Sequence, residues 1–233
     1  MKGITPAPPG RTTLAALLLA ALLSACAGAP PLNWQLASRG ALERATTAYL
    51  EGDARVEALD FEQSRAEVAR SGRADLLARI ELVRCATRVA SLVFEPCLGY
   101  DKIAIDVWSA EQAYARYLRG QPLPDDVAQL PAAQRAVAEA VLARRADLAQ
   151  DRLLLDIADP LSRLVAAGVL FQAGLARPAM LEVAVRTASD QAWSRPLLAW
   201  LQVQASLAEQ TGEPQLAQRL RRRIELVLSS PRK

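Results

Sequence analysis

The sequence predicts an all-α fold: antiparallel helical hairpins arranged as a repeat-like solenoid or an irregular helical bundle. Three observations point there. Pro131, Pro160, Pro178, Pro196 and Pro214 each stand just before a helical apolar pattern, and proline suits the first helical turn, where its missing N–H has no intrahelical role. Gly174 and Gly212 close two of these patterns at a separation of 38 residues, within the range of helical repeats. Between roughly residues 74 and 92, Leu76, Ile80, Val83 and Ala90 form one stripe, with Leu82, Cys85, Val89 and Leu92 on the next, as on a helix buried over a broad face.

The chain opens with a different pattern. Lys2 and Arg11 precede an unbroken Leu/Ala run, Leu14 to Leu23, followed by Ser24, Ala25 and Cys26. Ten apolar residues rising about 1.5 Å each are too short to span a bilayer. A charged start, a short apolar centre and a small-residue exit read as a secretory signal over 1–25. Leu23-Ser24-Ala25-Cys26 resembles the lipobox of bacterial lipoproteins. That resemblance implies a diacylglyceryl thioether on Cys26, cleavage before it and acylation of the new amine. Because Ala27 rather than Asp follows the cysteine, it also implies sorting to the outer membrane, with the body facing the periplasm. The alternative is an ordinary signal cut after Ala25 with no lipid. Residues 26–37 then read as the lipidated cysteine and a flexible tether.

Ser38 is positioned to cap a helix to about Leu50, with Gly52-Asp53 as its stop. A second helix covers about 54–70 and a third about 74–92. Residues 94–108 break the pattern, with a short alternation at Ile103-Ala104-Ile105 suggesting a few extended residues. Ser109 and Gln112 have capping-box spacing for a helix to about Arg119. Pro122 and Pro124 make 121–130 the clearest linker, dividing an N-terminal region, 38–120, from C-terminal hairpins, 131–229. Residues 131–158 form one long helix or two, with Asp151 as a possible break. Beyond them the hairpins pair about 160–173 with 178–189, and about 196–211 with 214–229.

Ala48-Tyr49 and Gly52, Gln172-Ala173-Gly174, and Gln210-Thr211-Gly212 resemble the turn regions of tetratricopeptide-type αα-repeats. The full spacing of that repeat is present in no window. The resemblance implies a protein-binding role, and a generic helical bundle is the alternative.

Composition restricts the chemistry. The 208 residues from Cys26 onward carry 26 basic and 25 acidic residues, a formal net charge of +1. The high pI is therefore no argument for a nucleic-acid partner. Lys2, Lys102 and Lys233 are the only lysines, an imbalance we attribute to genomic bias. The chain contains no histidine, which excludes Ser-His-Asp and Cys-His catalysis and histidine-ligated zinc. No Gly-rich phosphate loop, GxSxG elbow or CxxC cluster occurs. No metal or cofactor is expected beyond the covalent lipid on Cys26.

Cys85 and Cys97 remain after lipidation, and two cysteines in an exported chain suggest a structural disulfide. The alternatives are a buried free thiol at Cys85 or a redox pair, although the spacing is not C-x-x-C. The loop they would pin is aromatic. Phe94, Tyr100, Trp108, Tyr114 and Tyr117, five of the chain's 11 aromatics, fall within 24 residues, with Asp101 beside them. They form an interaction patch, or else they fill core where the helices fail to repeat. Arg219, Arg221, Arg222 and Arg223 read either as a contact for phosphate or an acidic partner, or as a solvated helix face. Together these features favour a non-enzymatic scaffold or assembly factor anchored at the outer membrane, partnered by another envelope protein. The alternatives are a peptidoglycan-acting enzyme or its activator, and a small-ligand or lipid-binding bundle.

Overall fold

Helix α3 (Ala74–Ala90) is the element around which the others pack. The computed structural model describes residues 32–146 and 148–230. The signal over 1–25 and the lipid on Cys26 lie outside the described residues. Before α3 come α1 (Asn33–Glu51) and α2 (Ala54–Ala69). After it follow a single turn α4 (Leu98–Asp101), a 3-10 turn (Ala104–Asp106) and α5 (Ser109–Leu118). A second 3-10 turn (Pro124–Gln129) leads to α6 (Ala132–Leu142), α7 (Leu148–Leu155), α8 (Pro160–Gln172), α9 (Pro178–Asp190), α10 (Ser194–Gln210) and α11 (Pro214–Ser229). The protein is all-α, with no strand among the described residues.

The C-terminal hairpins follow their punctuation. Asp159 accepts a hydrogen bond from the Ser162 N–H ahead of Pro160, and Gly174 and Gly212 take positive φ after α8 and α10. Each of these turns also bonds the next residue back to a carbonyl five residues earlier, Leu175 to Leu170 and Glu213 to Ala208. Helices α8 to α11 pack in succession, each against the next.

Two contacts tie this array to α3. A Cβ added at Gly168, in the middle of α8, would overlap the Val89 carbonyl oxygen of α3. Trp200 of α10 is fully buried, and its indole N–H donates to the Ala90 carbonyl at 3.0 Å. On the other side of α3, Phe61, Ala45, Val68 and Ile80 form a smaller core shared with α1 and α2. Helix α1 also reaches α10: Ser194 donates to the Glu51 carbonyl at 2.6 Å and Arg195 to the Tyr49 carbonyl at 2.8 Å. In an extended solenoid each repeat touches only its neighbours. Contacts across more than 140 residues make this an irregular bundle with repeat-like hairpins at its end.

Several boundaries differ from the sequence reading. Helix α1 begins at Asn33, and Ser38 is no cap: its hydroxyl is buried against Ser64 of α2 at 3.0 Å. Ser109 forms no capping box. Trp108 occupies the N-cap position, and the Gln112 amide donates to the Val107 carbonyl at 3.2 Å. Ile103-Ala104-Ile105 enters a 3-10 turn rather than an extended segment. Residues 132–155 form two helices, and the first ends at Leu142, just ahead of Arg144 in the left-handed region at φ 47°, not at Asp151. Segment 121–130 is packed rather than a linker. Leu130 is fully buried, Asp126 pairs with Arg116, and the described residues from Trp34 onward cluster as one unit.

Two predictions follow from this packing. Gly168→Ala should lower stability by about 1–3 kcal/mol through overpacking, more than the ~1 kcal/mol that alanine gains in helix propensity. Denaturant midpoints would measure this, and an unchanged midpoint would contradict the close approach. The second prediction concerns Asp126. Hydrogen bonds from the Arg116 guanidinium hold its carboxyl below the usual range. A carboxylate depressed in the folded state contributes stability above its unfolded pKa of about 3.9, and that contribution is lost as pH falls through the folded value. Asp126→Asn should therefore cost about 1–2 kcal/mol at pH 7. In paired unfolding curves, the difference from wild type should shrink below about pH 4.

Candidate functional site

The candidate site begins where α3 ends. Leu92 adopts the left-handed conformation at φ 58°, and the Val93 N–H bonds back to the Arg88 carbonyl at 2.9 Å. This reversal sends residues 93–99 back along α3, where Cys97 is disulfide-bonded to Cys85 with their Cα atoms 5.9 Å apart. Past the bridge, Gly99 lies so close to the Glu81 carboxylate that a Cβ would overlap it. The returning segment is thus fixed by a covalent bond and a glycine contact, both onto α3.

Phe94 projects from this segment. Its ring stacks on Phe171 of α8 at 6.1 Å, and Phe171 meets Trp200 edge-on at 5.8 Å. Phe94 remains 39% exposed and separates two open grooves. One, of about 720 Å³, runs along α3 past Glu81, Arg84, Cys85, Val89 and Leu118. The other, of about 630 Å³, lies over Leu92, Phe171, Val203 and Leu207. Arg84 and Arg88 border the first groove and converge on Glu57 of α2 at 2.9 and 3.1 Å. Arg88 also stacks over Tyr49 at 4.5 Å, with Arg195 over the same ring at 4.4 Å.

The structure divides the aromatic patch that the sequence suggested. Phe94 and Trp108 are solvent-accessible, Trp108 being 64% exposed, and Asp101 is exposed and paired with Arg119 at 2.5 Å. Tyr100 and Tyr117 belong to the core instead. The Tyr117 hydroxyl donates to Gln134 Oε1 at 2.5 Å, and the Gln134 amide donates in turn to the Ser162 carbonyl at 3.1 Å. Tyr114 is half-buried and stacks on Tyr117 at 6.0 Å. Burial raises the pKa of both phenols, so they stay protonated. The sequence reading passed over Leu98 and Ile105, which are 67% and 90% exposed. Both stand in the irregular segment, where the only pattern, the Ile103-Ala104-Ile105 alternation, suggests extended residues rather than an exposed turn.

Buried carboxylates are present, each paired with arginine: Glu57 as above, Glu81 with Arg65 at 2.6 Å, and Glu111 with Arg79 at 2.7 Å. A glutamic general acid is ordinarily set in apolar surroundings, whereas each of these carboxylates faces a guanidinium. No group of three or more potential metal ligands occurs among the described residues. None of the described helices is long and apolar enough to cross a membrane. In α11, Arg219, Arg221, Arg222 and Arg223 are exposed around buried Leu220, with Arg221 paired to Glu209 at 2.5 Å.

The division of the patch predicts how substitutions will behave. Tyr117→Phe leaves the buried Gln134 short of a partner and should cost about 1–3 kcal/mol. Trp108→Ala should stay within about 0.5 kcal/mol of wild type. Removing both Cys85 and Cys97 by serine substitution should cost roughly 2–3 kcal/mol. Thermal unfolding of the three variants tests the assignment, and a severe Trp108→Ala defect would place that ring in the core. Compared with family models, with curated proteins and with solved structures, the chain matches none.

Proposed function

We propose that this chain is a non-enzymatic lipoprotein of the bacterial envelope, held at the outer membrane by lipid on Cys26, whose helical body binds another envelope protein. The observation that carries this reading is Phe94, an apolar ring held part-exposed between two grooves by a disulfide-pinned segment. A ring fixed before binding loses little conformational entropy on association, which favours its use as an anchor. Leu98 adds exposed apolar area, while Arg84, Arg88 and Glu95 supply a polar rim. The successive packing of α8 to α11 supports the tetratricopeptide-like part of the reading. The wall-cleaving alternative is less favoured because Glu57, Glu81 and Glu111 are all arginine-paired.

Two measurements test the proposal. Cys26→Ser should move the protein from the membrane fraction to the soluble fraction of the envelope, and unchanged fractionation would remove the anchor. In-cell crosslinking followed by mild solubilisation should capture one envelope protein, and a Phe94→Ala/Leu98→Ala variant should capture about tenfold less while remaining folded. Capture indifferent to these residues would move the binding surface elsewhere. Release of peptidoglycan fragments by the purified protein would replace the scaffold with an enzyme.

A further inference from the structure

The register of contacts along α3 brings two separate parts of the chain to its N-terminal end. On one side, Ser38 of α1 bonds Ser64 of α2, and the next residue, Arg65, pairs with Glu81. The start of α1, with Trp34 packed on the core that contains Val68 and Ile80, therefore lies level with the first turns of α3. On the other side, Cys97 is bonded to Cys85, Gly99 abuts Glu81, and Glu111 pairs with Arg79. Residues 97–111 thus run down α3 toward the same end.

That end exposes large apolar side chains. Ile105 is 90% exposed, Trp108 64% and Leu36, on the first turn of α1, 53%. Ile105 and Trp108 bracket the end of a 3-10 turn, with Lys102 one turn before. Scattered exposed hydrophobics are ordinary, but a projecting Ile beside a projecting Trp is not a solvated loop. Tryptophan, with an apolar ring and a polar N–H, favours the membrane–water interface. The charges nearby nearly cancel: Arg73 pairs with Asp75, Arg79 with Glu111, and Lys102 is offset by Asp106.

We propose that the α3 N-terminal end, through Ile105 and Trp108, docks on the lipid surface, inserting these side chains at the headgroup level. The inference rests in part on the anchor proposed above. Asn33, the first residue of α1, stands seven residue steps after Cys26, so a chain lipidated at Cys26 keeps the start of α1 within about 25 Å of the bilayer. At such range a weak surface contact becomes intramolecular, with an effective concentration on the order of millimolar. Because the end is nearly neutral, insertion rather than charge attraction drives the contact, and it depends little on salt. It also orients the body, leaving Phe94 at the opposite end of α3 for a protein partner, with the larger groove running along α3 between the two ends.

The test is depth-dependent quenching of tryptophan fluorescence by acyl-brominated lipids. It uses the full chain reconstituted in phosphatidylethanolamine/phosphatidylglycerol vesicles, at low and high salt. Wild type should be quenched equally at both salts. Trp108→Phe should lose most of the quenching, and Ile105→Ser should weaken it, both with unchanged circular dichroism. Absence of quenching, or quenching that persists in Trp108→Phe, would overturn the proposal. So would lipid-free dimerisation abolished by Ile105→Ser, which would assign the surface to a second copy. The readout is independent of Cys26→Ser fractionation: if the anchor fails there while Trp108 is still quenched, the docking surface stands alone.

Discussion

The bundle depends on how closely α8 approaches α3. At Gly168 the α8 backbone lies against the Val89 carbonyl, leaving no room for even a methyl group. This contact places Ala166, Ala167 and Leu170 in the core and brings Trp200 within hydrogen-bonding reach of the Ala90 carbonyl. The carbonyls at the end of a helix have no intrahelical partner. Here Trp200 serves the Ala90 carbonyl and the Leu92 N–H serves that of Val89. The same residues that end α3 therefore attach the C-terminal hairpins and start the reversal that carries Phe94.

Arginine provides the second level of organisation. The scarcity of lysine reads in the sequence as compositional bias, but the structure gives the arginines specific work. Arg65, Arg79, Arg84, Arg88 and Arg116 each engage a buried carboxylate on another element, and Arg88 and Arg195 both lie over the Tyr49 ring. A planar guanidinium can accept a carboxylate at its edge and an aromatic ring on its face, which an ammonium group cannot do. These pairs join α1, α2, α3 and α5 where alanine-rich surfaces bury little area. A buried carboxylate without its partner is strongly unfavourable, so the pairs also penalise slippage between helices.

The C-terminal half was legible because its signals are local. A proline at a helix start and a glycine at its end act through their own backbone, and the hairpins after Asp159 fall where that punctuation puts them. The N-terminal half misled because its polar residues serve tertiary partners. Ser38 and Ser109 stand at spacings that suit a cap, yet one bonds across to α2 and the other is already helical. Leu92, Arg144 and Ala192 end helices in the left-handed conformation without glycine, so no residue type announces the turn. The aromatic segment shows the same limit. Composition marks 94–117 as unusual, but only the path of the chain separates Tyr117, bonded to Gln134, from Trp108 in solvent. Gly168 carries no local signal at all, because its role is set by a helix about 80 residues earlier.

That separation bears on function. The disulfide and the Gly99 contact hold residues 93–99 against α3, so the segment keeps its path without burying its apolar side chains. Phe94 sits at the start of that path, and Ile105 and Trp108 follow beyond its far end, the last two contributing little to the core. Exposed apolar side chains scattered over a surface need no explanation, whereas several along one irregular segment, here Phe94, Leu98, Ile105 and Trp108, are what the proposed binding surfaces rest on. Because α3 runs between the two ends, whatever meets Ile105 and Trp108 is kept apart from whatever meets Phe94. Under the anchoring proposed above, a body tethered near Asn33 has one end directed to the surface that holds it and the other directed away, with α3, packed against α2, α5 and α8, setting the distance between them.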